Sequence, residues 1–70
     1  MTQNKIFSLN GETYLTTQNL TLFDLLNYFN YQDSLFVVEY NNLIFNQTKW
    51  NETLIKNYDK IEIITIVGGG

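Results

Sequence analysis

A single stretch of helical periodicity, set between segments of β-type sequence, most constrains the fold of this 70-residue chain. Four apolar residues share the spacing that places side chains on one side of an α-helix: Leu22, Leu25, Leu26 and Phe29. Thr21 and Asp24 have the spacing of a capping box at the start of such a helix. We therefore predict a helix at about residues 22 to 31. A lone amphipathic helix cannot bury its apolar side, so the rest of the chain must supply the surface on which it packs.

Segments before and after this helix have the composition of β-strands. Residues 5 to 9 and 13 to 15 flank Asn10-Gly11, a pair that adopts positive φ readily and favours a two-residue hairpin turn. Three further strands are predicted from apolar runs: SLFVVEY at 34–40, LIF at 43–45 and KIEIITIV at 60–67. The order strand, strand, helix, strand, strand, strand predicts an α+β fold, with a mixed sheet of about five strands packed on one helix.

Composition excludes several classes of function. The chain contains no cysteine and no histidine, which rules out disulfides, most zinc or copper sites, and thiol or imidazole catalysis. Its seven carboxylates show no calcium-loop spacing, so we predict no metal site and no catalytic residue. A net charge of −3 with four scattered lysines argues against nucleic acid and favours a basic protein partner.

Targeting signals are absent from the sequence pattern. The apolar runs are too short for a bilayer span, and the first residues lack the charged and apolar regions of a signal peptide. We therefore expect no membrane partner. Asparagine, isoleucine, lysine and aromatic residues are frequent while alanine, arginine and proline are missing, a profile typical of AT-rich coding sequences such as those of organelle genomes.

The C-terminal end is the least ordinary part of the chain. A predicted strand runs directly into Gly68, Gly69 and Gly70, and we expect one folded domain over residues 1–67 with a flexible tail at 68–70. Three terminal glycines arise by chance in roughly a few chains in ten thousand. Because glycine has no Cβ, such a tail can enter a narrow channel. Taken alone, the tail is also compatible with a frayed end.

Several stretches of the chain stand in a specific order and spacing: LNGE at 9–12, TLFDLL at 21–26, VVEYNN at 37–42, Trp50 and DKIEIITIVGGG at 59–70. Together they make the chain similar to the ThiS family of sulfur carriers, within the ubiquitin-like β-grasp group. The last of these is the specific part of the resemblance. The chain departs from the family pattern at Asn46 and Gln47, where a proline and a basic residue are usual. It departs again at Tyr58-Asp59, where Gly-Asp is usual.

The resemblance implies a β-grasp fold and a carrier function. A ThiF-like adenylyltransferase would use ATP to adenylate the Gly70 carboxylate, with Gly68 and Gly69 threading into its active site. Sulfur from a cysteine desulfurase or a relay would then give a thiocarboxylate, which a ThiG-like thiazole synthase would use for the thiazole ring of thiamine. The chain would be a cosubstrate that binds no cofactor itself and is no enzyme. It would act in the bacterial cytoplasm or the plastid stroma.

The last predicted strand also suggests where partners dock. Its alternation favours Ile61 and Ile63 on the helix side of the sheet, with the opposite face partly exposed. We predict a docking surface from that face and the end of the strand: Glu62, Ile64, Ile66 and Val67. The alternative is that both faces are covered. Trp50, in a predicted helical turn, is interpreted as a core residue.

Three other functions remain open at the level of the sequence. The same carrier chemistry could supply molybdopterin synthesis or tRNA thiolation. A ubiquitin-like modifier would join Gly70 to lysines of other proteins. A binding module with an idle tail would function without the last two glycines.

Overall fold

The structure is a computed structural model that describes residues 4–31 and 35–65. The elements in chain order are β1 (Lys5–Leu9), β2 (Glu12–Thr16), α1 (Leu22–Tyr28), β3 (Phe36–Tyr40), β4 (Leu43–Phe45), a 3₁₀ helix (Gln47–Glu52) and β5 (Lys60–Thr65). Five strands and one α-helix in the described part of the chain confirm the α+β prediction. The predicted tail at 68–70, together with Ile66 and Val67, lies outside the described residues.

The five strands form one mixed sheet with the order β2-β1-β5-β3-β4. β1 and β5 run parallel, and the β1–β2, β3–β4 and β3–β5 pairs are antiparallel. The last strand of the chain therefore occupies the centre of the sheet. At its start, β5 is paired with β1 on one side and with β3 on the other.

Both hairpins turn on asparagine-containing pairs with positive φ. Asn10 and Gly11 have φ values of 51° and 83°, and Asn41 and Asn42 have φ values of 52° and 72°. Turns with positive φ at both central residues match the right-handed twist of the strands they join. The register confirms two-residue loops, since Leu9 pairs with Glu12 across the first turn.

Helix α1 begins at the predicted capping box. The Thr21 side chain accepts a hydrogen bond from the Asp24 N–H at 3.0 Å, and the Thr21 N–H donates to Asp24 Oδ2 at 3.1 Å. This reciprocal pair gives hydrogen-bond acceptors to two backbone N–H groups, those of Thr21 and Asp24, that would otherwise have no partner at the start of the helix.

The predicted helix end at residue 31 is wrong, because α1 ends at Tyr28. Asn30 adopts a left-handed φ of 62°, which an asparagine tolerates better than most residues. The Asn30 N–H then bonds to the Asn27 carbonyl, and the Tyr31 N–H bonds to the Leu26 carbonyl at 3.0 Å. These two bonds form a Schellman motif that closes the helix.

The core lies between α1, the 3₁₀ helix and one face of the sheet. Its buried apolar residues are Phe7, Leu9, Leu22, Leu25, Leu26, Val38, Tyr40, Trp50, Ile55, Ile61 and Ile63. The 3₁₀ helix places Trp50 in parallel stacking with Phe36, with ring centroids 5.6 Å apart. The assignment of Trp50 to the core is confirmed.

Candidate functional site

β5 carries Glu62 and Ile64, two of the four residues predicted for docking, while Ile66 and Val67 lie outside the described residues. Ile61 is completely buried and Ile63 nearly so, whereas Ile64 on the other face keeps 44% of its surface exposed. Glu62 lies on the same face as Ile64 and is partly exposed. The predicted division of β5 between a buried and an open face is confirmed, and docking on the open face stays a prediction.

A buried carboxylate fixes the start of β5. Asp59 is only 6% exposed, and its side chain accepts hydrogen bonds from the Lys56 N–H at 2.7 Å and from Asn41 Nδ2 at 3.1 Å. The Tyr40 hydroxyl donates a third bond to it. The Asp59 carbonyl accepts from the Ser8 N–H at 2.9 Å, which ties the same residue to β1. Asp59 therefore sets the register of the strand that carries the tail.

Tyr40 gives this cluster a measurable alkaline dependence. Burial, then the hydrogen bond and negative charge of Asp59, raise the pKa of the Tyr40 hydroxyl above its ordinary value. An unfolded tyrosine ionises near pH 10, so this stabilisation is fully present below pH 10 and is lost as pH rises toward the folded-state pKa. We expect Tyr40→Phe to lower the free energy of unfolding by about 1.5–3 kcal/mol at pH 8, because it removes a bond to a charged group.

Urea unfolding at pH 8 and pH 11 tests this expectation. Tyr40→Phe should lose less stability between the two pH values than the wild type, because its side chain cannot ionise. Tyr28→Phe is the matched control, since Tyr28 is 78% exposed. An equal alkaline loss in the wild type and Tyr40→Phe would contradict the role given to the buried hydroxyl.

Asn10 has a second role that sequence reasoning missed. It was interpreted only as a turn residue, but its N–H donates to the Ile61 carbonyl at 2.9 Å and its Oδ1 accepts the Ile63 N–H at 2.7 Å. The side-chain oxygen continues the ladder by one bond after β1 has turned away. No signal in a single sequence distinguishes this role from a plain turn.

The open face beside Ile64 combines apolar and acidic side chains. Val37 is the partner of Ile64 across β3 and β5, and Glu39 is the partner of Glu62. On β4, Ile44 stands opposite Glu39 and is 64% exposed. Sequence reasoning missed the residues from β3 and β4, because it did not establish which strands flank β5.

The two glutamates lie directly opposite each other, a placement that destabilises the free sheet. Lys60 Nζ lies 3.8 Å from Glu62 Oε1, and this is the only ion pair that either glutamate makes within the described residues. The Lys60 side chain is itself well exposed. An exposed pair of this kind contributes little, so the centre of the face stays acidic. Such a surface suits a basic partner that also presents apolar groups.

The departures from the family pattern have local structural explanations. Asn46 caps the 3₁₀ helix, since its Oδ1 accepts from the Thr48 N–H at 3.0 Å. Tyr58 has a positive φ of 69° and is 77% exposed. A left-handed conformation costs about 1–2 kcal/mol in a residue with a Cβ, which explains why glycine is usual in this turn. Nothing in the structure accounts for Gln47.

Within residues 4–31 and 35–65, no three acidic side chains come together as a metal site. No helix in the same ranges is long and apolar enough to cross a membrane.

A five-stranded mixed sheet packed on one helix, with the last strand at its centre, defines a ubiquitin-like β-grasp domain. This class of protein uses one small scaffold for many purposes, so the fold alone does not assign an activity. The chain matches the ThiS family over residues 5–70 and belongs to that family.

The chain is also similar to other proteins along nearly its whole length. A protein named ycf40 from Trieres chinensis is 56% identical over 94% of this chain and 90% of its own length. A ycf40 protein from Porphyra purpurea is 37% identical over 97% of this chain and 96% of its own length. The crystal structure of the thiamine biosynthesis protein ThiS from Geobacter metallireducens has a TM-score of 0.77 and 22% identity. That alignment covers 93% of this chain and 99% of the other.

Proposed function

We propose that the chain is a sulfur carrier whose C-terminal Gly70 carries the sulfur as a thiocarboxylate. The observation that supports this most is the family match, which runs through residue 70 and so includes the three glycines. The position of β5 adds support, because a central strand held at its start presents whatever follows it from a fixed point.

The chemistry begins with a carboxylate that is a poor electrophile. A ThiF-like adenylyltransferase would join the Gly70 carboxylate to the α-phosphate of ATP and release pyrophosphate. A persulfide, supplied by a cysteine desulfurase or a relay, would then attack the acyl carbon through its terminal sulfur and displace AMP. A thiol would reduce the resulting acyl disulfide, which releases the thiocarboxylate and leaves the thiol in a disulfide with the donor. Gly68 and Gly69 would let the backbone approach the channel walls closely, since they have no Cβ.

The chain itself would act as a cosubstrate. It would present the terminus and the docking face, while the activating enzyme supplies the nucleotide site. The open face of β5, with Ile64 and Glu62 at its centre, would contact that enzyme. Ile66 and Val67 would extend the contact toward the tail.

We propose the thiazole ring of thiamine as the destination of the sulfur, with a ThiG-like thiazole synthase as the acceptor enzyme. The family match and the structural neighbour, a thiamine biosynthesis protein, support this acceptor over molybdopterin synthesis or tRNA thiolation. We also propose the plastid stroma as the location. Related ycf40 proteins are encoded by plastid genes of algae. The amino-acid composition of this chain, which is typical of AT-rich coding sequences, agrees with that location.

The absence of cysteine makes the carrier state directly measurable. Protein isolated from its native cell is treated with a thiol-alkylating reagent, and the masses of the intact chain and of the C-terminal peptide are determined. The chain has no side-chain thiol, so an added alkyl group on Gly70 identifies a thiocarboxylate. A free carboxylate in every preparation, even after incubation with ATP, a sulfur source and the adenylyltransferase, would contradict the proposal. Gly70 joined to a lysine would assign the chain to the modifier class.

A further inference from the structure

β5 extends beyond the strand that pairs with it on one side. On the β1 side, the register pairs only Ser8 with Lys60 and Leu9 with Ile61, and the Asn10 side chain takes the next N–H, that of Ile63. On the β3 side, pairing continues to the end of the strand, where Phe36 stands opposite Thr65. The two sides of β5 are therefore unequal in length.

The hydrogen bonds show which backbone groups of β5 have no partner beyond the end of β1. Backbone groups of alternate residues in a strand point to opposite sides. Ile61 and Ile63 bond toward β1 and Asn10, so Thr65 presents its N–H on the same side. No strand within residues 4–31 and 35–65 lies beside the Ile63 carbonyl or the Thr65 N–H and carbonyl. These three groups form a short open edge.

The open edge is suited to pairing with another chain. A strand with exposed backbone donors and acceptors readily pairs with an extended segment of another chain. The main-chain hydrogen bonds of such a pair do not depend on the side chains of the added segment. The Asn10-Gly11 turn bounds the edge at one end. An added segment can therefore lie only beyond that turn, where β1 would continue if it were longer. Thr65 is exposed, which leaves the edge accessible.

The position of the edge identifies the partner. Gly70 is five residues beyond Thr65, a reach of at most about 18 Å at 3.3–3.6 Å per residue. An enzyme that pairs with Thr65 therefore lies within reach of Gly70, and the adenylyltransferase is the first of the proposed partners to act on that residue. We propose that an extended segment of the adenylyltransferase pairs with this edge and continues the sheet in place of β1. This inference rests on the proposed function and adds how the tail is aligned.

Amide hydrogen exchange of the wild-type protein tests the pairing directly. The Thr65 N–H should exchange rapidly in the free chain and at least ~100-fold more slowly in the complex with the adenylyltransferase of the same organism. The Ile64 N–H faces β3 and should be slow in both states. A Thr65 amide already protected in the free chain, or still unprotected in the complex, would overturn the inference.

A proline substitution tests whether the bond matters for binding. Thr65→Pro removes the open N–H without taking a bond from β3, so its thermal midpoint should change little. Its dissociation constant for the enzyme should rise by at least ~10-fold, as expected for a lost hydrogen bond. Thr65→Val keeps the N–H and is the matched control, which should bind like the wild type.

Equal affinities of the two Thr65 variants would overturn the inference. If the wild type becomes thiocarboxylated while its Thr65 amide stays unprotected, this inference fails and the carrier function stands. If the wild type neither binds the enzyme nor gains sulfur, both fail.

Discussion

A chain that ends at Gly69 should lose at least ~100-fold in its rate of adenylation while its thermal unfolding midpoint stays unchanged. Removing Gly70 shifts the terminal carboxylate back by one residue, or about 3.5 Å. A displacement of even 1 Å from the productive geometry costs up to ~100-fold in rate. Stability should be unaffected, because the buried residues of the described chain end at Ile63.

Single-turnover formation of the acyl adenylate, at saturating enzyme and ATP, gives the rate for this comparison. A chain lengthened by one glycine after Gly70 is the complementary variant, because it keeps all three glycines and displaces the carboxylate in the opposite direction. Both variants should be slow. Reaction of the shortened chain at the wild-type rate would mean that the enzyme does not recognise the position of Gly70, and would contradict the proposed chemistry.

Local patterns predicted the elements that are set by local physics. The capping box at Thr21 and Asp24 and the Asn10-Gly11 turn were readable because their partners lie within three residues. The alternation along β5 likewise separated Ile61 from Ile64, since a strand pattern has only two faces. The resemblance to ThiS added the β-grasp topology, which these patterns do not specify.

Long-range contacts were not readable in the same way. The bonds of Asp59 to Tyr40 and Asn41 join residues far apart in the chain, so no local pattern marks Asp59 as a buried carboxylate. The opposition of Glu39 and Glu62 depends on a register that no single strand encodes. The pattern places the end of α1 about three residues too late, because it does not show that Asn30 adopts the left-handed conformation of a Schellman motif.

One face of the sheet contributes to the core, and we propose that the opposite face binds a partner. Apolar side chains on the helix side form the core, while the opposite side keeps Ile44 and Ile64 exposed beside two opposed glutamates. Exposed apolar groups and like-charge neighbours do not stabilise a free domain. We propose that a partner covers these groups, which lie on and beside the strand that leads to Gly70.

Two substitutions on β5 separate these contributions. We expect Ile61→Ala to lower the free energy of unfolding by about 3–5 kcal/mol, because Ile61 is fully buried and truncation leaves a cavity. A domain of this size has roughly 4–10 kcal/mol in total, so this variant should be partly unfolded at 37 °C. Ile64→Ala removes the same atoms from a half-exposed position and should cost less than about 1 kcal/mol.

Urea unfolding of both variants measures the loss of stability, which should be large for Ile61→Ala and small for Ile64→Ala. Binding to the adenylyltransferase is then measured for Ile64→Ala. Ile64→Ala should remain folded and yet bind the enzyme at least ~10-fold more weakly, since the few residues whose truncation costs more than ~1 kcal/mol cluster near the centre of an interface. Equal losses of stability at the two positions would contradict the division of β5 between the faces. Wild-type affinity in Ile64→Ala would instead place the enzyme's contact elsewhere, and would leave the exposure of Ile64 without a functional explanation.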